Sequence, residues 1–428
     1  QNLQEKCREC AARITAAGAD VAILTLTDSI CWLFNIRGSD VEFTPVSLAF
    51  AILHSDSSAE LFIDTRKLTS RALRHLGNSV AVHEPKNFLP ALTELGLSGK
   101  KVQIDPLSAS EWIFQSLGNE NCIIENSDPC VLGKAVKNSV ELDGARKAHL
   151  RDGVAVTRFL YWLSQNAEMG KISEIGAADK LEQLRSMGEH FRGLSFPTIS
   201  GTGPNGAIVH YRVDAHSDRT LNTGDLYLVD SGAQYLDGTT DVTRTVAIGA
   251  PSEEMQDRFT RVLKGHIAIA TARFPLGTSG GQLDSLARLS LWEAGLDFQH
   301  GTGHGVGSFL SVHEGPQRIS KHLGSPPLEA GMIVSNEPGY YKNGAYGIRI
   351  ENLVAVVTVG PQQTMEDEFL EFKTLTLAPI DKKLIVTAML NENEKGWLNE
   401  YHKQVHDQLY KFLEPGAQKW LRNATSPL

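Results

Sequence analysis

The sequence predicts an α/β amino-terminal domain followed by an α+β domain that ends in a helical extension. Three observations predict it. At 428 residues the chain exceeds what one ordinary core holds, so two domains are the default. Short apolar runs alternate with helical patterns over roughly the first 130 residues. From Phe196 onward strand-like segments dominate, and two of them lead into turns rich in Gly, Asn and acids.

Taken in order, residues 2–17 read as a helix, followed by the strand-like runs VAILTL (21–26), VSLAFAIL (46–53), AELFID (ending at 64) and KVQID (101–105). SASEWIFQSLG at 108–118 reads as a helix, and the basic stretch RKLTSRALRHLG (66–77) as the solvated face of another. The polar stretch GNENCIIENSDPC leads to a boundary near 135. A long amphipathic helix begins at 139 and a second covers about 173–187. FPTISG, LYLVDSGA, DVTRTVAIG, MIVSNEP and GIRIENLVAVV read as strands, with a helical section at 253–296 between the acid-bearing pairs. The end of the chain, 394–422, places Trp397, Tyr401, Val405, Leu409 and Phe412 on one helical face.

Charged residues make up 21% and the net charge is −9, with no Lys/Arg block, which argues against nucleic acid or an anionic membrane as partner. No run of about 18 apolar residues exists to span a bilayer. The chain starts at Gln1 without a signal pattern, and we expect that something upstream has been removed. Cysteines 7, 10, 31, 122 and 130 are odd in number and confined to the first third, which predicts reduced thiols in a cytosol. Cys7 and Cys10, lacking a second pair nearby, read as two helix-facing thiols rather than half a zinc site.

The chemistry gathers in three segments. LYLVDSGAQYLDGTTDVTRTVAIG carries Asp230 and Asp241, HGTGHGVG carries His304, and IVSNEPGYYKNGAYGIRIENLVAV carries Glu337 and Glu351. Each acid-bearing segment is a strand, a turn and a strand, so two facing hairpins could supply two carboxylates apiece. Strand alternation puts Thr239, Asp241, Thr243 and Thr245 on one face, and Gly347, Arg349, Glu351 and Leu353 on another. Arg349 should therefore point into the same space as Glu351. Buried together, such acids are costly unless paired or metal-bound. The glycines around His304 match neither a P-loop nor G-x-G-x-x-G, and are expected to let backbone approach a bound centre. Four carboxylates and one imidazole suit two divalent cations, with oxygen-rich ligation favouring Mn²⁺ over Co²⁺ or Zn²⁺. Singly, each acid also reads as a turn former or solvated strand end, and spacing alone leaves both readings open.

These residues resemble the pita-bread metallopeptidase superfamily, which includes methionine aminopeptidase, prolidase and Xaa-Pro aminopeptidase. VDSGAQYLDGTTDVTRT, VLKGHIAIA, HGTGHGVGSFLSVHEGP, EPGYYKNGAYGIRIEN and the tail from WLNEYH resemble the cytosolic, three-domain Xaa-Pro aminopeptidases, through essentially the whole chain. The resemblance implies a creatinase-like domain at 1–135, a pita-bread dinuclear catalytic domain at 136–362 and an extension at 363–428 packed on it. It implies that Asp230 binds one metal, that Asp241 and Glu351 bridge both, and that His304 and Glu337 complete the other sphere. His210, His300 and His313 match further active-site histidines, and Arg349 and Tyr341 match substrate-binding positions. Longer members carry another α/β domain before the region that starts here, so we expect the chain to lack it. A homodimer in the cytoplasm is also implied.

The reaction so implied is hydrolysis of the bond between an amino-terminal residue and a following proline. A metal-bridging hydroxide would attack, Glu337 would shuttle the proton, and His313 or His300 would steady the oxyanion. Proline matters because its tertiary amide has no N–H and its φ is restricted. Prolidase, cutting Xaa-Pro dipeptides, is the nearest alternative enzyme. Methionine aminopeptidase lacks the preceding domain and this tail. A binding module that no longer catalyses would not need all five ligands, and a carboxylate-pair glycosidase leaves HGTGHG unexplained.

Overall fold

The first helix, Leu3–Ala16, starts where Asn2 and Glu5 form a reciprocal capping box, which satisfies two otherwise orphaned N–H groups. The structure, a computed structural model, describes residues 1–118, 120–322, 324–360 and 368–428; the expected boundary at 362/363 lies outside them. The chain divides into two units, Gln1–Lys134 and Ala135–Leu428.

The first unit is built on a six-stranded sheet. Its strands are β1 (Val21–Leu24), β2 (Phe50–His54), β3 (Ala59–Phe62), β4 (Val80–His83), β5 (Val102–Ile104) and β6 (Ile123–Glu125). Their spatial order is β4-β3-β2-β1-β5-β6. The β2 strand pairs antiparallel with β1 and β3, and the other pairings are parallel. All four residues of β1 are buried, as expected of a central strand covered on both faces. Val21, Ile23, Ile52, Phe62, Phe88, Leu92 and Ile104 form the core beside it.

Two expectations need correction here. VSLAFAIL becomes a strand only from Phe50, because Ser47 N–H donates to Cys31 Sγ at 3.3 Å and Leu48 N–H to Asp40 at 2.8 Å, which removes them from a ladder. Ile123–Glu125, inside the stretch read as polar linker, supplies the edge strand β6, too short to show periodicity. All five cysteines are buried, and the sulfur neighbour of Cys10 is Cys130 at 3.8 Å rather than Cys7.

The second unit begins with the helix Ser139–Asn166, capped by an Asn138/Glu141 box, and continues with Glu174–Ser186. A buried two-pronged pair, Arg185 to Asp152 at 2.9 and 3.1 Å, fastens these helices together. The strands that follow are β7 (Phe191–Leu194), β8 (Ile199–Thr202), β9 (Leu226–Ser231), β10 (Ala233–Tyr235), β11 (Gly238–Thr239) and β12 (Val242–Ala247). They form two three-stranded sheets, β11-β10-β7 and β12-β9-β8. The remaining strands are β13 (Arg273–Pro275), β14 (Gly303–Gly305), β15 (Glu314–Ile319), β16 (Ile333–Asn336), β17 (Gly339–Lys342), β18 (Tyr346–Arg349), β19 (Asn352–Thr358) and β20 (Phe369–Thr374). Six of them form the sheet β13-β20-β19-β16-β14-β15, while β17 and β18 form a separate hairpin.

The section 253–296 is not one helix. It divides into Glu253–Ala270 and Gly280–Trp292, because Pro275 cannot continue a helix and Gly277 takes a positive φ of 91°. The tail likewise divides into Glu392–Leu409 and Pro415–Ala424. Leu398, Tyr401, Val405 and Leu409 are buried, but Phe412 lies past the end of the first helix and is 43% exposed. No helix among the described residues is long and apolar enough to cross a membrane.

Candidate metal centre

Both acid-bearing hairpins form, and each contains an inserted smaller hairpin. β9 pairs antiparallel with β12, setting Thr243 opposite Asp230, with β10 and β11 between them in sequence. β16 pairs with β19, with the β17–β18 hairpin inserted. Asp230 lies in β9 and Asp241 directly before β12. Glu337 follows β16, and Glu351 falls in the gap between β18 and β19. The Glu351 N–H donates to Thr243 O at 3.2 Å and the Glu337 N–H to Thr302 O at 2.8 Å, so backbone bonds hold these acids between strands.

Alternation along the strands survives these gaps. Thr243 Oγ1 donates to Glu351 at 2.8 Å and accepts from Arg349 Nε at 3.2 Å, so Arg349 and Glu351 do share one space. Thr239 departs from the predicted face: its hydroxyl turns to Gln234, because the chain breaks between β11 and β12.

The glycines beside His304 have a different purpose from the expected one. A Cβ at Gly303 would stand 2.0 Å from Ser335 O, and one at Gly305 2.3 Å from Glu314 O. They let β14 lie flat between β15 and β16 rather than against a bound centre. His304 Nδ1 donates to Gly305 O at 2.9 Å, which turns Nε2 toward Asp241 (3.5 Å) and Glu337 (3.6 Å). Ser335 Oγ accepts from His304 N–H and donates to Glu337, fixing both.

Three overlapping groups result, in each of which the donor atoms lie within 4.8 Å of one another: Asp230, Asp241 and Glu351; His304, Glu337 and Glu351; and Asp241, His304 and His313. Burial, then repulsion from Asp230 and Glu337, raises the carboxyl of Asp241 well above its usual range. Burial and repulsion from Asp241 and Asp230 do the same to Glu351. Glu337 moves the other way: burial opposes ionisation, but His304, His300 and Arg349 outweigh it. Arg349 donates to Asp230 Oδ2 at 2.7 Å, whereas the buried Oδ1 atoms of Asp230 and Asp241 have no hydrogen-bond partner. Orphaned buried carboxylate oxygens beside an imidazole nitrogen fit hard divalent cations by number and by donor type.

The acids floor a cavity of about 500 Å³, with Phe196, Pro197, Ile199 and Val209 on an apolar wall and His210, His300 and His313 around it. His313 stands edge to face with His304, ring centres 4.2 Å apart. His300 donates from Nδ1 to Gly301 O, and its Nε2 lies 2.8 Å from the Tyr341 hydroxyl. Burial lowers its pKa, so the ring is neutral and Nε2 accepts. Arg349 donates to the same hydroxyl at 2.5 Å, so Tyr341 is linked to Asp230 through Arg349.

Sequence reasoning placed Thr243 on the acid-bearing face but gave it no task, and passed over Ser335 altogether. The signal for Thr243 was its place two residues after Asp241 on one strand face; none existed for Ser335. It also missed Glu174, a fully buried acid at the start of its helix. Glu174 accepts from Thr202 N–H (2.7 Å), Asn205 (2.9 Å), the Tyr211 hydroxyl (2.9 Å) and Arg219 N–H (3.1 Å). It ties down the loop that carries His210.

Comparison with known proteins agrees with this geometry. Residues 143–358 match the model of metallopeptidase family M24, 1–141 the creatinase/prolidase N-terminal domain, and 368–428 the C-terminal region of peptidase M24. A creatinase-type amino-terminal domain is thus present, and the expectation that the chain lacks the first amino-terminal domain is not borne out. A probable Xaa-Pro aminopeptidase P of Laccaria bicolor is 46% identical over 96% of this chain and 65% of its own length. Aminopeptidase P1 of Arabidopsis thaliana is 39% identical over all of this chain and 74% of its own. An X-prolyl aminopeptidase from Caenorhabditis elegans, described as a cytosolic enzyme with a di-nuclear active site, superposes with a TM-score of 0.95 at 37% identity. That match covers 100% of this chain and 71% of the nematode one.

Proposed function

This chain belongs to metallopeptidase family M24, and we propose from that premise that it is an Xaa-Pro aminopeptidase, releasing the first residue of peptides whose second is proline. The carrying observation is the set of four acids and His304, packed to ligand spacing on the floor of a cavity with one apolar wall. Asp230, Asp241, His304, Glu337 and Glu351 would hold two divalent cations. Mn²⁺ suits the oxygen-rich donor set, with Zn²⁺ or Co²⁺ acceptable. When bound, such a pair lowers the pKa of water and polarises a carbonyl.

The chain's own residues do the rest. Glu337, held by Ser335 through Oε1, takes the proton of the attacking water and passes it to the proline nitrogen. His313, exposed to the cavity, donates to the carbonyl oxygen as it gains charge. His300 has both nitrogens engaged and serves instead to hold Tyr341 and, through it, Arg349. The wall of Phe196, Pro197, Ile199 and Val209 offers the proline ring an apolar seat. The acids attract the substrate's free ammonium, which confines cleavage to the first bond.

The division at 1–135, 136–362 and 363–428 belongs to the same proposal, supported by the separation of compact units at 134/135. So do a homodimer and a cytosolic setting, the latter supported by the odd number of cysteines and the nematode relative's description. The test uses Arg-Pro-Pro and Arg-Pro side by side, with Mn²⁺, Zn²⁺ or chelator. Release of Arg from the tripeptide, abolished by chelator, is expected. Cleavage of the dipeptide alone would make the chain a prolidase, and turnover in chelator would exclude the metal.

A further inference from the structure

Glu351 is held in two places. Thr243 holds its side chain, and a second group holds its backbone: Arg244 Nη1 donates to Glu351 O at 2.7 Å. Arg244 is 2% exposed and has no carboxylate partner among the described residues. Its other donors go to Thr243 O (2.8 Å), Asn352 Oδ1 (2.8 Å), Pro379 O (3.1 Å), Ala378 O (2.8 Å) and the Tyr401 hydroxyl (2.9 Å). A buried cation satisfied wholly by neutral acceptors depends on where they are held, since only they offset its desolvation; six acceptors meet five N–H groups here, so Asn352, Ala378 and Tyr401 share the two hydrogens of Nη2. A rigid planar fork can meet acceptors in so many directions where a lysine cannot.

Three of those acceptors, Ala378, Pro379 and Tyr401, come from the carboxy-terminal segment. The Tyr401 hydroxyl in turn donates to Ala378 O at 2.8 Å, and its ring stacks on Trp397 with centres 5.3 Å apart. The tail therefore reaches the centre through the Arg244 guanidinium, beside the bonds that Tyr401 makes to Asn352 and Thr376 to Leu353. We propose that Arg244 is a positioning residue for Glu351, and that Tyr401 completes its clamp, so that the tail sets metal affinity. This rests on the reading of Glu351 as a metal ligand.

The test titrates Mn²⁺ into chelator-stripped full-length protein and follows melting without metal, comparing wild type, Y401F and V405A. Val405 is buried on the same helix and makes no bond to Arg244, so V405A loosens the helix without touching the clamp. Y401F should weaken Mn²⁺ binding about threefold or more, less than the loss of a group bonded to the ligand itself, because Tyr401 acts on Glu351 through Arg244. V405A should melt earlier yet bind Mn²⁺ as wild type does. Wild-type affinity in Y401F, or equal weakening in V405A, overturns the proposal. A wild-type protein that takes up no metal overturns the reading of Glu351 and this inference with it.

Discussion

Thr243 carries more of the centre than its size suggests, because one hydroxyl serves Glu351 as donor and Arg349 as acceptor. Substituting valine keeps the shape and removes both bonds, leaving the buried Arg349 and Glu351 each short of a partner. T243V should cost about 1–3 kcal/mol in urea unfolding; an unchanged midpoint would mean that Arg349 and Glu351 find other partners. Glu337 is the residue whose chemistry can be separated from its fold. E337Q retains shape and the Ser335 contact but cannot hold the transferred proton, so with Mn²⁺ raised to saturate the weakened ligand set kcat should fall by about 10² to 10⁴ and the melting temperature of the metal-free protein stay nearly unchanged. Near-normal turnover would remove it from the proton path. At this scale the five acid and imidazole positions were legible because ionisable residues placed on strands are costly without a partner. Thr243 and Ser335 were not, since a hydroxyl in a strand is ordinary until its neighbours in space are known.

Elements matter here through the bonds that seat them. The loop carrying His210 is knotted at Glu174, and removal of one phenolic oxygen in Y211F cuts a strand of that knot. The expected result is a several-fold rise in KM for Xaa-Pro-Pro peptides with Mn²⁺ affinity unchanged, because no candidate ligand lies on the loop; a loss of metal instead would show the loop to be part of the centre. The tail helix Glu392–Leu409 is seated differently, through His402, whose Nε2 accepts from Ile380 N–H at 3.1 Å. Burial, reinforced by Lys382 and Arg244, lowers the His402 pKa to about 3. Above about pH 6.5 the ring is neutral in folded and unfolded chains alike. Below it only the unfolded chain takes up the proton, so this contribution to stability is lost as pH falls from about 6.5 toward 3. By pH 4.5 wild type should have lost about 2–3 kcal/mol more than H402Q in urea unfolding; parallel losses would show that His402 protonates freely in the fold. Periodicity had found this helix but ran it on through Phe412, because apolar spacing does not register the break after Leu409. The division at Pro275 and Gly277 was written in the sequence and passed over for the same reason.

For the whole molecule, the sequence disclosed which segments matter but not why they stay together. The two hairpins, the long helix at 139 and the acids were readable from alternation, capping residues and charge. The dependence of the centre on Ala378, Pro379 and Tyr401 was not, because Arg244 reaches them across more than 130 residues of chain and no local pattern encodes such a meeting. The same assembly makes a demand that a divalent cation can meet: four carboxylates are gathered in the second unit, and burial and mutual repulsion push two of them toward neutrality. The fold is therefore opposed by its own centre until metal arrives, and D241N isolates that opposition by removing one charge without changing shape. In chelator D241N should be more stable than wild type by on the order of 1–2 kcal/mol. With Mn²⁺ at about a hundred times its dissociation constant, wild type should gain about 2.7 kcal/mol, while D241N, having lost a ligand, gains little. The order of stability thus inverts on adding metal. Urea unfolding of both proteins, with and without Mn²⁺, measures it. If D241N is the weaker protein under both conditions, the acids are satisfied by the protein alone and the centre was not built for cations.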